Sequence, residues 1–165
     1  SDLQVVSKVL PDPTDKRQRV TPHILNEKHD CPQINICTIE GPLFFGSAQM
    51  FEKTVRGVVH PEAKILILRL GKVPYIDTTG ETNLSNIVKT FKASGGTVLV
   101  SALQKQPKSM LKKTGLYDEI GESNFYEHTG DAINYALKHI NLDQCIGCKH
   151  YAFRECSRLS RNNGQ

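Results

Sequence analysis

The chain has 165 residues, 38% hydrophobic and 23% charged, with a formal net charge of +4. That suffices for one ordinary domain with extensions and excludes general disorder. The mild positive charge permits an acidic partner or an anionic surface. With no Trp and no basic stripe interleaved with aromatics, nucleic-acid binding is not expected. No apolar run reaches the roughly 18 residues of a spanning helix; Ile65–Leu70 is the strongest and contains Arg69. The first residues lack a charged stretch followed by a long apolar one, so no signal peptide is expected. The chain reads as cytosolic or as the soluble fragment of a larger protein.

Residues 1–30 read as a connector with at most one strand, Gln4–Leu10, stopped by Pro11-Asp12-Pro13, and with Asp15–Arg19 as solvated loop. Ile34 to Ile39 reads as a strand, interrupted by Gly41-Pro42 before Leu43-Phe44-Phe45. Ser47 is placed to cap a helix whose apolar face carries Met50, Phe51, Val55, Val58 and Val59. Ile65–Leu70 has the nearly unbroken apolar run of a strand covered on both faces. Leu84, Ile87, Val88 and Phe91 then follow at helical spacing, and Ser94-Gly95-Gly96 closes that helix. Thr97–Leu103 is another buried strand. Pro107 opens a short helix that ends at Gly115, and Leu116–Ile120 suggests one more short strand. A loop through Asn124-Phe125-Tyr126 leads to a last helix lined by Ile133, Leu137 and Ile140. Alternating strands and helices imply an α/β fold with a mainly parallel central sheet and about four helices. The Ile34–Phe45 region is expected to supply one antiparallel edge strand.

Between the central strand and its helix lie Asp77, Thr78, Thr79 and Gly80. A helix start exposes unpaired N–H groups, so hydroxyls and a carboxylate there suit a cap, a phosphate site or a phosphoacceptor. Thr78-Thr79-Gly80-Glu81 fits a capping box, with Thr78 accepting from the amide of Glu81 and Glu81 reaching back. A phosphate on Thr78 would add about 1.5 to 2 negative charges against the helix dipole; Thr79 is the second candidate acceptor. Asp77 as an aspartyl-phosphate nucleophile would need further acidic ligands for Mg²⁺, and position 79 is Thr. No phosphate-loop, dinucleotide or nucleophile-elbow motif occurs. An enzyme is not expected.

The segments Gly41-Pro42-Leu43-Phe44-Phe45-Gly46-Ser47-Ala48 and Leu66-Ile67-Leu68-Arg69-Leu70 belong to a recognisable pattern, as does Val73-Pro74-Tyr75-Ile76-Asp77-Thr78-Thr79-Gly80. With Gly96–Ser101 and Met110–Leu116, they resemble the STAS domain at the cytosolic C-terminus of SulP-type (sulfate permease family) anion transporters. The resemblance covers residues 33–142 and implies a STAS-like αβ sandwich. It divides the chain into a connector at 1–30, a STAS domain at 31–142 and a Cys-rich basic tail at 143–165. The chain is also similar to anti-sigma-factor antagonists, which share this fold and are switched by phosphorylation directly after the Asp, here at Thr78. The transporter branch is the closer match, because the Gly-Pro-Leu-Phe-Phe segment and the extra residues in front suit it.

The resemblance implies a regulatory and interaction domain on the cytoplasmic side of the membrane. Its expected partner is the membrane domain of the same transporter; an acidic protein or a nucleotide are further candidates. A free-standing phospho-switch is the alternative, and an aspartyl-phosphate phosphotransferase a more distant one. Lys105, Lys108, Lys112 and Lys113 form a solvated face that, with the tail arginines, suits the anionic inner leaflet.

An odd count of five cysteines argues for reduced thiols. Cys145, Cys148, His150 and Cys156 in the tail form Cys-x2-Cys-x-His-x5-Cys, a candidate zinc site. An iron–sulfur site is a weaker fit, and a plain tail of reduced thiols on a basic amphipathic helix is an equal alternative.

Overall fold

The computed structural model describes residues 4–6, 11–12, 15–19, 31–45 and 48–161. Its main sheet contains β1 (Gln4–Val6), β4 (Ile34–Glu40), β5 (Ile65–Lys72), β6 (Thr97–Ser101) and β7 (Phe125–Tyr126), side by side in that order. β2 (Pro11–Asp12) and β3 (Asp15–Arg19) form a separate antiparallel ribbon. Six α-helices are described: α1 (Ala48–Val58), α2 (Thr78–Ala93), α3 (Lys105–Thr114), α4 (Leu116–Ile120), α5 (Thr129–Leu137) and α6 (Cys156–Arg161).

β5 organises both layers, and its side chains alternate between them as the two-residue strand period requires. Leu66 and Leu68 face a cluster with Phe51, Val55, Leu84, Val88 and Leu111. Ile65 and Ile67 face another with Ile34, Ala132, Ile133, Ala136 and Phe153. Its neighbours β4 and β6 both run parallel to it. α2 ends as the glycines predict: Gly95 adopts φ +92 and donates to Lys92 O, while the Gly96 amide donates to Phe91 O. That pair of bonds satisfies carbonyls the last turn would leave open.

Several expectations are corrected. Ile34–Glu40 is not the antiparallel strand: it runs parallel to β5, with Ile34 opposite Ile65. The intervening α1 returns the chain across the sheet, which is the connection parallel strands need. The antiparallel neighbour of β4 is β1. Asp15–Arg19 is a paired strand rather than loop, because backbone pairing does not require apolar side chains. Among its described residues the connector therefore holds three short strands rather than at most one. Leu116–Ile120 is helical; Leu116, Tyr117 and Ile120 are buried at helical spacing. Phe125–Tyr126, read as loop, is the edge strand β7, parallel to β6. In α1, Phe51 and Val55 are buried but Met50 is 69% exposed, so the core face is narrower than expected. The expected cap at Ser47 and the strand residues 7–10 lie outside the described residues.

The tail is part of the second layer rather than an appendage. Ala152 and Phe153 are buried against Ile34, Ile36, Ile65 and Ile67, and Leu159 is also buried. Phe153→Ala should therefore cost about 3 kcal/mol, read as a lower urea midpoint at unchanged m-value. A tail without a packing role would leave the midpoint unchanged.

Candidate binding face at the Asp77 loop

Beyond the paired parts of β4 and β5 the two chains stay in contact. The Leu43 amide donates to Tyr75 O at 2.9 Å, and the Asp77 amide donates to Leu43 O at 3.0 Å. The side chain of Gln106 clamps the same stretch, accepting from the Ile76 amide at 2.8 Å and donating to Ile76 O at 3.0 Å. Leu43 and Ile76 are fully buried beneath this double connection.

Asp77 is the N-cap of α2. Its Oδ1 accepts from the Gly80 amide at 2.8 Å, and its Oδ2 accepts from the Phe45 amide at 3.0 Å. One carboxylate thus satisfies an open donor of the helix and holds the segment after β4. The expected capping box from Thr78 to Glu81 does not form. Thr78 is the first helical residue, and Glu81 is buried with its Oε2 accepting from Thr114 Oγ1 at 2.7 Å. Both Asp77 and Thr78 have residue types that cap helices. The Phe45 amide, 32 positions away in sequence, adds a bond available to Asp77.

The predicted loop residues therefore divide by role. Asp77 is a strap, with each oxygen engaged by a backbone amide. Thr78 is exposed and Thr79 is half-buried. Gly80 lies against the Leu43 backbone, where an added Cβ would stand 2.3 Å from the Leu43 carbonyl oxygen. Around this frame Phe44 is 39%, Phe45 79% and Tyr75 47% exposed. These three exposed aromatic rings stand on a pinned backbone.

Two further features were not anticipated from sequence. Arg69, noted only as a charge in an apolar strand, donates to Thr38 Oγ1 at 3.0 Å and to Thr129 Oγ1 at 3.2 Å. Thr129 also shares a 2.7 Å hydrogen bond with Ser101. Thr38, Arg69 and Ser101 lie toward the carboxyl ends of β4, β5 and β6, with Thr129 at the start of α5, beside an open cavity of about 380 Å³ that Glu40 and Lys72 also line. Secondly, Cys31 lines one small cavity with Cys145, Cys148, His150 and Cys156. Among the described residues no three His, Cys, Asp or Glu side chains already stand in a metal-holding group. Burial pushes the Cys31 thiol up to about 11 and also raises Cys145 and Cys156.

The basic run is exposed on α3, where Lys108 and Lys112 approach the Tyr117 ring with Nζ 5.9 and 5.0 Å from its centroid. Among the described residues no helix is long and apolar enough to cross a membrane.

The STAS domain family model matches residues 26–132, and the chain belongs to that family. It is 41% identical over 106 residues to the candidate sulfate transporter YvdB of Bacillus subtilis (strain 168), covering 64% of this chain and 20% of that protein. The chain thus spans a fifth of the length of this relative. Among solved structures it is similar to the SulP transporter STAS domain from Vibrio cholerae. That match has 35% identity and a TM-score of 0.53, and covers 64% of this chain and 80% of that one. A candidate anti-sigma factor antagonist from Thermotoga maritima shares the fold, with 21% identity and a TM-score of 0.55 over 66% of this chain and 91% of that one.

If Asp77 is the strap described, Asp77→Ala should destabilise the domain by about 2 kcal/mol, the upper end for a lost cap. Gly80→Ala should cost about 1–3 kcal/mol, because the new methyl meets backbone that cannot rotate away. Chemical denaturation of both variants measures these losses; values indistinguishable from wild type would contradict the strap.

Proposed function

We propose that this chain is the regulatory STAS portion of a SulP-type anion transporter and works by binding rather than by catalysis. Its Asp77 face, with Phe44, Phe45, Tyr75 and the start of α2, would dock against the membrane domain of the same transporter on the cytoplasmic side. The observation that carries this reading is the pinned Asp77 loop holding three exposed aromatic rings outward. The similarity of the chain to one fifth of a much longer candidate sulfate transporter supports a covalently attached membrane partner. The exposed lysines of α3 would face anionic head groups, each contributing about 1 kcal/mol near such a surface.

Thr78 gives this face a means of control. Its hydroxyl is at the first helical position, exposed, so a phosphate there would meet the open amides and positive end of α2. The same geometry supports the alternative of a free-standing phospho-switch. The cavity lined by Arg69 and by Lys72, which pairs with Glu40 at 3.4 Å, is a second candidate ligand site, at the strand ends where α/β sheets bind ligands.

In the full-length transporter, Phe45→Asp should reduce anion uptake several-fold at equal surface abundance. The charge would be desolvated at the docked face. Thr78→Glu should shift uptake in either direction without unfolding the isolated domain. Wild-type uptake in both variants would contradict docking through this face.

A further inference from the structure

Cysteines from opposite ends of the described core converge where the tail returns to the start of β4. Cys31 stands just before that strand, and two residues on, Gln33 fastens the tail. Gln33 Nε2 donates to Asn141 O at 2.9 Å, and the Asn141 amide donates to Gln33 Oε1 at 2.8 Å. Beyond Asn141 the chain makes a tight turn over Cys145-Ile146-Gly147-Cys148. Ile146 adopts φ −65 and ψ 120, Gly147 adopts φ +77, and the Cys148 amide donates to Cys145 O at 3.0 Å. These are the angles of a type II turn, which needs positive φ at its third position and brings its first and fourth residues together. The turn is tied to α6: the Gly147 amide donates to Ser160 O at 2.8 Å, and Ser160 Oγ donates to Cys148 O at 2.7 Å. Cys156 opens that helix.

The sulfurs are also supplied with backbone donors. Cys156 Sγ accepts from the Phe153 amide at 3.3 Å, and the Ala152 amide also points to it. Cys31 accepts from the amides of Gln33 and Ile34. The cavity shared by the four thiols is about 50 Å³. A cavity for an organic ligand is typically about 300 Å³ or more, so this one suits a single ion. Beside Cys156, Glu155 Oε1 is buried without a hydrogen-bond partner, which marks a segment whose polar arrangement is incomplete. Cys37 provides the contrast: it is fully buried in the opposite layer and does not line that cavity.

We propose that Cys31, Cys145, Cys148 and Cys156 bind one zinc ion, which locks the C-terminal segment onto the start of the sheet. The four sulfurs do not yet surround one point. Closing them on one ion is the work of side-chain rotation, each thiol having a single torsion. Binding forms four Zn–S bonds and releases four thiol protons to solvent, with no change of oxidation state. His150, two residues past Cys148, lines the same cavity but is exposed, and the proposed set leaves it out. The site is independent of whatever the Asp77 face binds.

Elemental analysis of the 165-residue chain, purified reduced and without chelator, should give about one zinc per chain. Cobalt exchanged into the metal-free chain should show tetrahedral d–d bands with thiolate charge transfer, a readout that needs no substitution. Cys31→Ser should lose most of the bound metal, and His150→Ala should retain it. Substoichiometric metal in the wild-type chain, or octahedral cobalt, would overturn the proposal. Full zinc retained in Cys31→Ser but lost in His150→Ala would overturn the assigned ligand set.

Discussion

The burial of Ile65 to Leu68 on both faces is the constraint from which the rest of the molecule follows. A strand covered twice cannot lie at an edge, so β4 and β6 must flank it and two layers must cover it. The parallel pairing requires crossovers, and α1 and α2 supply them. The two core clusters divide β5 residue by residue, so no single layer can be removed without exposing alternate side chains of the same strand. Even the C-terminal segment is drawn into this scheme, because Phe153 completes the cover over Ile65 and Ile67.

The candidate binding face inherits its rigidity from that strand. β5 leads through Val73 and Ile76, both fully buried, into Asp77, so the loop leaves the sheet from fixed points rather than as a mobile tip. Asp77 then uses one carboxylate to join the start of α2 and the segment after β4. Gln106 holds the other side of the same stretch. The exposed rings of Phe44, Phe45 and Tyr75 are consequently displayed in a defined arrangement, which lowers the ordering cost of binding a partner. The Asp77 carboxylate, weighed in the sequence as a nucleophile and set aside, has both oxygens engaged by backbone amides.

The legible parts of the sequence were those governed by local rules. The apolar run of β5, the spacing of Leu84, Ile87, Val88 and Phe91, and the closing glycines at Gly95 and Gly115 all mean locally what they mean in the fold. What was misread depended on distant partners. The direction of β4 is set by a crossover, and Leu116–Ile120 is too short for periodicity to separate helix from strand. Asp77 and Thr78 both fit a capping pattern one residue apart, and the bond to Phe45 comes from another part of the chain. Cys31 joins the tail thiols across more than a hundred residues, bridged by Gln33 and Asn141, so no spacing motif could contain it.

Amide hydrogen exchange of the isolated domain tests the fastening role of Asp77 most directly. In the wild-type chain the Gly80 and Phe45 amides should be protected together. Asp77→Ala should accelerate both while leaving the Ile65–Leu68 amides slow, because the central strand opens only with the whole domain. Unchanged protection of the Phe45 amide in that variant would contradict the account.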